Sequence, residues 1–277
     1  PSAAAQEPGS VVASPSMNEP GSPGPSGPKD DSSPRPQALT QTLVVPNAAP
    51  LGSISSDGPL THIAVSPDLD CSANHSGDSA GEFYGNTACG TFVVVDGTLY
   101  GPASIPAGGS AGPRVPLTPV SQVASGSGTR SDPYEIVTVA AAGTTGIQIV
   151  ETDSYVVGQE NWTTDVTISN SSTDEQSVLL YRAFDCYRQN SDFGYGDGDS
   201  ASGTVACQSS ASAPSPLLEI SPLSGGSHFY EAFYDQIWAK IGSQQPFDDT
   251  CRCREYIDNG AGLSWNVDVP ASGTATR

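Results

Sequence analysis

Lysine is nearly absent from this 277-residue chain. Lys29 and Lys240 are the only two, and ten basic residues in all face 30 acidic ones, a formal net charge of −20. A chain so short of cations cannot lay the clustered Lys/Arg track that a phosphate backbone or an anionic bilayer surface requires. That argues against nucleic acid and membrane lipid as partners. Long apolar runs are missing as well: the longest are strand-sized, which argues against direct membrane insertion by a helix. There is one methionine against 30 glycines and 24 prolines, a balance that favours many turns and few helices. Catalytic signatures are equally scarce. No G-x-S-x-G elbow, H-E-x-x-H pair or phosphate-binding loop is present, and the three histidines, His62, His75 and His228, are scattered. The chain starts at Pro1 without a charged and apolar leader and reads as a mature or trimmed product.

What is present is β patterning. Trp162, Thr164, Val166 and Ile168 alternate with Thr163, Asp165, Thr167 and Ser169, the period-2 signature of a half-buried strand. Ser177 to Phe184 is nearly all apolar or aromatic and predicts a strand buried on both faces. The turn residues Asn170 to Glu175 lie between them and predict a hairpin. Tyr134 to Ala140, Gly146 to Val157, Thr61 to Ser66, Pro216 to Ile220 and Gly262 to Val269 add further strand candidates. Thr91–Val95 and Thr98–Tyr100 flank Asp96-Gly97, a strong type I′ hairpin signal. The one convincing helix is predicted over Ser227 to Ile241, with Ser227 as its cap and Gly242 after its end. The fold class expected is therefore mainly β: an antiparallel β-sandwich with one short packed helix. Residues 1–50, dominated by Pro, Ser, Ala and Gly, cannot bury enough apolar surface to offset ordering entropy and are expected to be a disordered stalk, apart from an edge strand at Leu43 to Val45. Residues 51–277 are expected to form one domain, with the Gly/Pro-rich stretch Gly101 to Pro133 wrapping the sheet edge.

Six cysteines form an even set in a polar, Ser/Thr/Gly-rich chain, which points to disulfides and an extracytoplasmic setting. Fifteen pairings are open, and the leading set is Cys71–Cys89, Cys186–Cys207 and Cys251–Cys253. Zinc at Cys251, Cys253 and His228 lacks the second cysteine pair such sites need. Arg182, Arg188, Arg252 and Arg254 flank the later cysteines. They would converge into a carboxylate- or sulfate-binding cluster if Cys186 were bridged to Cys251 or Cys253; otherwise each is expected to pair with a nearby acid.

Asn190, Asp192, Asp197 and Asp199 place oxygen ligands along a glycine-rich stretch, Asp185 to Gly203, read as a stapled surface loop. Calcium takes such ligands, although the spacing is not that of an EF-hand, and a solvated acidic loop is the plainer alternative. Asp197 with the pair Asp248-Asp249 offers carboxylates for a glycosidase acid and base. Tyr187, Phe193, Tyr195 and Trp162 are aromatic candidates for stacking on sugars, with ordinary core the alternative for Trp162. Asn74, Asn161 and Asn170 lie in N-x-S/T sequons.

The segments TDSYVVGQENWTTDVTISN, LLYRAFDCYRQNSDFGYG and GSHFYEAFYDQIWAKIGSQQPFDDTCRCREYIDNGAGLSW resemble a module of secreted actinobacterial-type surface proteins. The resemblance spans roughly residues 116–269 and is most specific in D-T-C-R-C and I-D-N-G-A-G-L-S-W. It implies an extracellular, multi-domain context and carries over no catalytic residue. The expected function is an extracellular or cell-surface adhesion module, non-catalytic, binding glycan or an extracellular protein, with calcium as its one candidate cofactor. A carbohydrate-active enzyme or accessory domain using loop carboxylates and a ligand-free spacer are the alternatives.

Overall fold

The computed structural model describes residues 52–212, 215 and 217–277; the expected stalk and the edge strand at Leu43 to Val45 lie outside the described residues. Three short strands, β1 (Gly52–Ser55), β2 (Leu60–Val65) and β3 (Cys71–His75), form a small antiparallel sheet. β4 (Cys89–Val95) turns into β5 (Thr98–Gly101) through Asp96 and Gly97, both with positive φ as the type I′ turn demands. A two-residue strand β6 (Val115–Pro116) follows. The meander of β7 (Thr118–Ser125), β8 (Tyr134–Ala141), β9 (Ile147–Tyr155) and β10 (Thr163–Asn170) makes a second sheet. So the stretch expected to wrap the sheet edge supplies the edge strand β7 itself.

β11 (Gln176–Asp185) was expected to pair with β10, but it does not: β10 stays beside β9, and β11 crosses to the third and largest sheet. Asn170 makes that crossing. Its amide donates to the carbonyls of Asp174, Val269 and Pro270, while its carbonyl oxygen accepts from Ser172, so the turn is tied to the end of the other sheet. The same burial removes the Asn170 sequon from the surface. The large sheet is completed by β12 (Phe193–Asp199), β13 (Thr204–Gln208), β14 (Leu217–Ile220), β15 (Ser227–Phe233), β16 (Thr250–Cys251) and β17 (Ile257–Val269), with helix α1 (Tyr234–Gly242) between β15 and β16. β18 (Thr274–Thr276) returns to pair with β10.

The helix predicted from Ser227 is a strand for its first half. Residues 227–233 pair antiparallel with β17, and Tyr230 and Glu231 pair with β16, so tertiary pairing overrides the helical spacing of Phe229, Phe233 and Ile237. Only residues 234–242 stay helical.

The expectation that β11 is buried on both faces holds. On one face Tyr181 packs edge-on against Phe247 at 5.4 Å and donates its hydroxyl to the Gln245 carbonyl, and Phe92 of β4 lies 6.0 Å from Trp238 of α1. On the other face Arg182 reaches across to the meander. The molecule is thus a sandwich of meander and large sheet, with α1 covering the large sheet's far side. Each large apolar side chain removed from water in these layers contributes roughly 1.5–3 kcal/mol.

Between the layers lies a charged cluster. Arg182 Nη1 donates to Glu151 Oε1 at 3.1 Å and to Thr91 Oγ1 at 2.9 Å, and its other terminal nitrogen is 3.7 Å from Asp153. Asp153 accepts from Thr164 Oγ1 at 2.6 Å and from Trp162 Nε1 at 3.2 Å. Burial raises both carboxyls, Glu151 to about 7, against the lowering effect of Arg182.

The three disulfides are Cys71–Cys89, Cys186–Cys207 and Cys251–Cys253, the expected set, and no cysteine is left free. Among the described residues no helix is long and apolar enough to cross a membrane. The bridges fit an oxidising environment.

Candidate functional site

The stretch read as a flexible glycine loop is a strand. In β12, Phe-Gly-Tyr-Gly-Asp-Gly-Asp, the glycines at 194, 196 and 198 form the inner row, and Phe193, Tyr195, Asp197 and Asp199 form the outer one. The inner row has no room for side chains. A Cβ at 194 would collide with the Arg188 guanidinium, one at 196 with the Glu231 carboxylate, and one at 198 would lie 3.0 Å from the Phe229 ring. Two buried ionic side chains and an aromatic ring therefore sit directly beneath the backbone of β12, and every side chain the strand carries faces outward. Alternation, the feature that marks a strand, was legible in the sequence; the glycines disguised it as a loop.

Tyr256, in the turn before β17, completes the outer row. It is 57% exposed, and its ring lies 5.9 Å from Phe193 and 5.3 Å from Tyr195, making a run of three tilted aromatics on the surface. Farther along the same strand the register places Asp197 beside Ala206 and Glu219, and Asp199 beside Thr204. Asp197, Asp199, Glu219, Ser202 and Thr204 line a shallow pocket of about 260 Å³ floored by Ala206. Backbone and hydroxyl donors from Ala201 and Ser202 hold Asp199 below the usual carboxylate range.

Asp192 does not join Asp197 and Asp199. It meets Asp185, at the end of β11, and Asp258, in β17, with one oxygen of each within 4.8 Å of the others, a group that could hold a metal ion. Asp185 is only seven residues before Asp192, but Asp258 comes from β17, distant in sequence, and spacing alone did not reveal the group. Asn190 is turned to the surface, where its side-chain oxygen accepts from Ser79.

The four arginines are not gathered into one anion cradle, because Cys186 is bridged to Cys207. Arg182 lies between the layers. Arg188, 2% exposed, donates to the carbonyls of Phe193 and Gln208. Arg252 pairs with Glu255 and covers the Phe233 ring, and Arg254 is exposed. Tyr187 packs its ring against Tyr84. Trp162 is half-buried and committed to Asp153.

Of the candidate acid and base, Asp197 lines the shallow pocket, whereas Asp248 and Asp249 are engaged by their neighbours. Burial pushes Asp248 up, but Lys240 and the Thr250 hydroxyl outweigh it and hold the carboxyl below its ordinary value. Asp249 accepts from the Phe229 amide and faces His228 Nδ1 at 2.8 Å. With Cys251 and Cys253 joined to each other, neither is available as a thiolate ligand for zinc.

A larger cleft, about 670 Å³, opens between the sandwich layers, lined by Leu180, Phe184, Leu218 and Leu263 of the large sheet and by Trp162 and Val166 at the meander. No known protein family and no curated protein matches this chain.

Proposed function

We propose that this chain is an extracellular, non-catalytic glycan-binding module, and that it holds neutral sugar on the outer face of β12. The observation that carries this reading is the run Phe193, Tyr256 and Tyr195 leading into the pocket of Asp197, Asp199 and Glu219. Aromatic faces offer apolar area to the C–H face of a sugar ring at little entropic cost, and here Tyr256 is exposed while Phe193 and Tyr195 are half-buried beside it. The carboxylates and the hydroxyls of Ser202 and Thr204 supply acceptors and donors for ring hydroxyls. Three acids in a chain of net charge −20 repel uronic and sulfated glycans, which selects for uncharged ones.

The second, narrower reading is that the group of Asp185, Asp192 and Asp258, the first and last of them buried, takes calcium, whose ligands are carboxylate and other oxygens. Asp192 immediately precedes Phe193, and Asp258 is the register partner of Phe193, two residues beyond Tyr256, so an ion there would brace the Phe193 end of the aromatic row. The disulfides support the extracellular setting. The test is retardation of the full chain in native gels cast with neutral and with acidic polysaccharides. Retardation by at least one neutral polymer is expected; retardation only by the acidic ones contradicts the reading.

A further inference from the structure

Of the three disulfides, one is placed for chemistry rather than for bracing. Cys71, Cys89, Cys186 and Cys207 are all 2% exposed or less, so an external thiol does not reach their bridges in the folded chain. Cys251 and Cys253 are only partly buried, and their bridge joins residues two apart in sequence. A ring that small restricts the unfolded chain little, so opening it leaves the fold almost as stable as before. Its two sulfurs differ. Cys251, at the end of β16, packs against the core and lies under Gly198 of β12. Cys253 sits in the surface turn that the Glu255 amide closes onto the Arg252 carbonyl, next to the exposed Arg254.

A buried acid stands behind the inner sulfur. Glu231 is fully buried, and its Oε2 is 3.3 Å from Cys251 Sγ. A disulfide sulfur carries no hydrogen, so the hydrogen in this contact is the carboxyl's own. The Glu231 oxygens also accept from the Arg252 amide and from Asn259 Nδ2, which holds the carboxyl against the bridge. Burial raises the group to about 7, so it keeps its proton close to neutrality. β12 presents only Gly196 to it, β17 presents Asn259, and the charged groups that act on it are Arg252 and Glu255. Thiol–disulfide exchange needs a reachable sulfur, a leaving sulfur that can be protonated and positive charge near the thiolate; this turn supplies all three.

We propose that Cys251–Cys253 is a redox-active disulfide that exchanges with thiols, with Glu231 as the acid that protonates the leaving sulfur. A thiolate attacks Cys253 Sγ. The S–S bond breaks, its electron pair goes to Cys251 Sγ, and the Glu231 proton follows. The products are a mixed disulfide on Cys253, a Cys251 thiol and a Glu231 carboxylate. A second thiolate attacks the external sulfur of the mixed disulfide and releases Cys253 as a thiolate, which Arg252 and Arg254 favour. Two thiols leave as one disulfide, and two electrons stay on the protein as its dithiol. The two protons that the thiols gave to water return to Glu231 and Cys253.

Glutathione, a small monothiol, tests this on the full chain, read by acid-quenched alkylation and peptide mass spectrometry. Cys251 and Cys253 should open at glutathione concentrations that leave the other two bridges closed and the circular dichroism unchanged, with the trapped adduct on Cys253. Opening no easier than that of the buried bridges, opening only together with unfolding, or an adduct on Cys251 overturns the proposal. Glu231→Gln keeps the shape of the side chain but has no acidic proton to give, and opening should slow about tenfold near pH 6. Referred to the glutathione thiolate present, the native rate should fall as pH rises through about 7, and the variant should show no such step. Equal rates and matching pH profiles in the two chains overturn the role of Glu231, because a merely structural carboxyl would leave the profile unmoved.

Discussion

The carboxylate of Glu231 occupies the space that a side chain at position 196 would need, so Gly196 and Glu231 are two halves of one packing arrangement. Glu231 is fully buried, accepting from Asn259 Nδ2 at 3.1 Å and from the Arg252 amide at 2.8 Å. Gly196→Ala must displace that carboxylate or bend β12, and should cost about 2–3 kcal/mol in urea unfolding. Asp197→Ala, one residue on and facing outward, should stay within about 0.5 kcal/mol. Equal effects at the two positions would contradict the two-faced description of β12.

Glu231 also sets a pH dependence. Burial raises its carboxyl from 4.5 to about 7, against the lowering effect of Asn259 and the Arg252 amide. An acid whose folded value is raised binds its proton more tightly when folded, so its stabilising contribution is complete below about 4.5 and is lost as pH rises through about 7. Glu231→Gln removes the titration. Its stability relative to the native chain should rise across that interval by roughly 3 kcal/mol, read from melting curves at several pH values. A difference that stays flat with pH would show that Glu231 is charged in the fold throughout.

The disulfides should contribute unequally. Cys186 and Cys207 are 21 residues apart in sequence, and closing a loop of that size stabilises by about 3 kcal/mol in the chain-entropy account. Cys251 and Cys253 are two apart and restrict the unfolded chain far less. Replacing Cys186 and Cys207 together by serine should lower the melting temperature clearly more than replacing Cys251 and Cys253; the reverse order would place the stabilisation in the folded state instead.

Much of this architecture was readable and some was hidden for definite reasons. Asp96-Gly97 announced its hairpin because a type I′ turn needs positive φ at both positions, a local demand. Cys71–Cys89 and Cys186–Cys207 followed from the loops they close. The crossing at Asn170 was not readable, since the carbonyls that capture its amide lie about a hundred residues away. Residues 227–233 carry helical spacing, and only their partners in β17 make them a strand. Of the outer face, Phe193, Tyr195, Asp197 and Asp199 were singled out from the chain, whereas Tyr256 and Glu219 join them only through strand register.

Metal binding gives a separate check on the end of β12. Calcium should raise the melting temperature, chelator should reverse the gain, and Asp192→Asn should abolish the response while Asp199→Asn leaves it intact. A response lost with Asp199→Asn but kept with Asp192→Asn would move the ion to the shallow pocket.

The most direct test of the glycan reading is titration calorimetry of the best-retained neutral oligosaccharide into the full chain and into its Tyr256→Ala variant. Tyr256 is the most exposed ring of the row and touches both others, so its loss should weaken binding roughly five- to thirtyfold, about 1–2 kcal/mol, with the melting temperature unchanged. An affinity that survives Tyr256→Ala unaltered would contradict the assignment of the outer face of β12 as the binding surface.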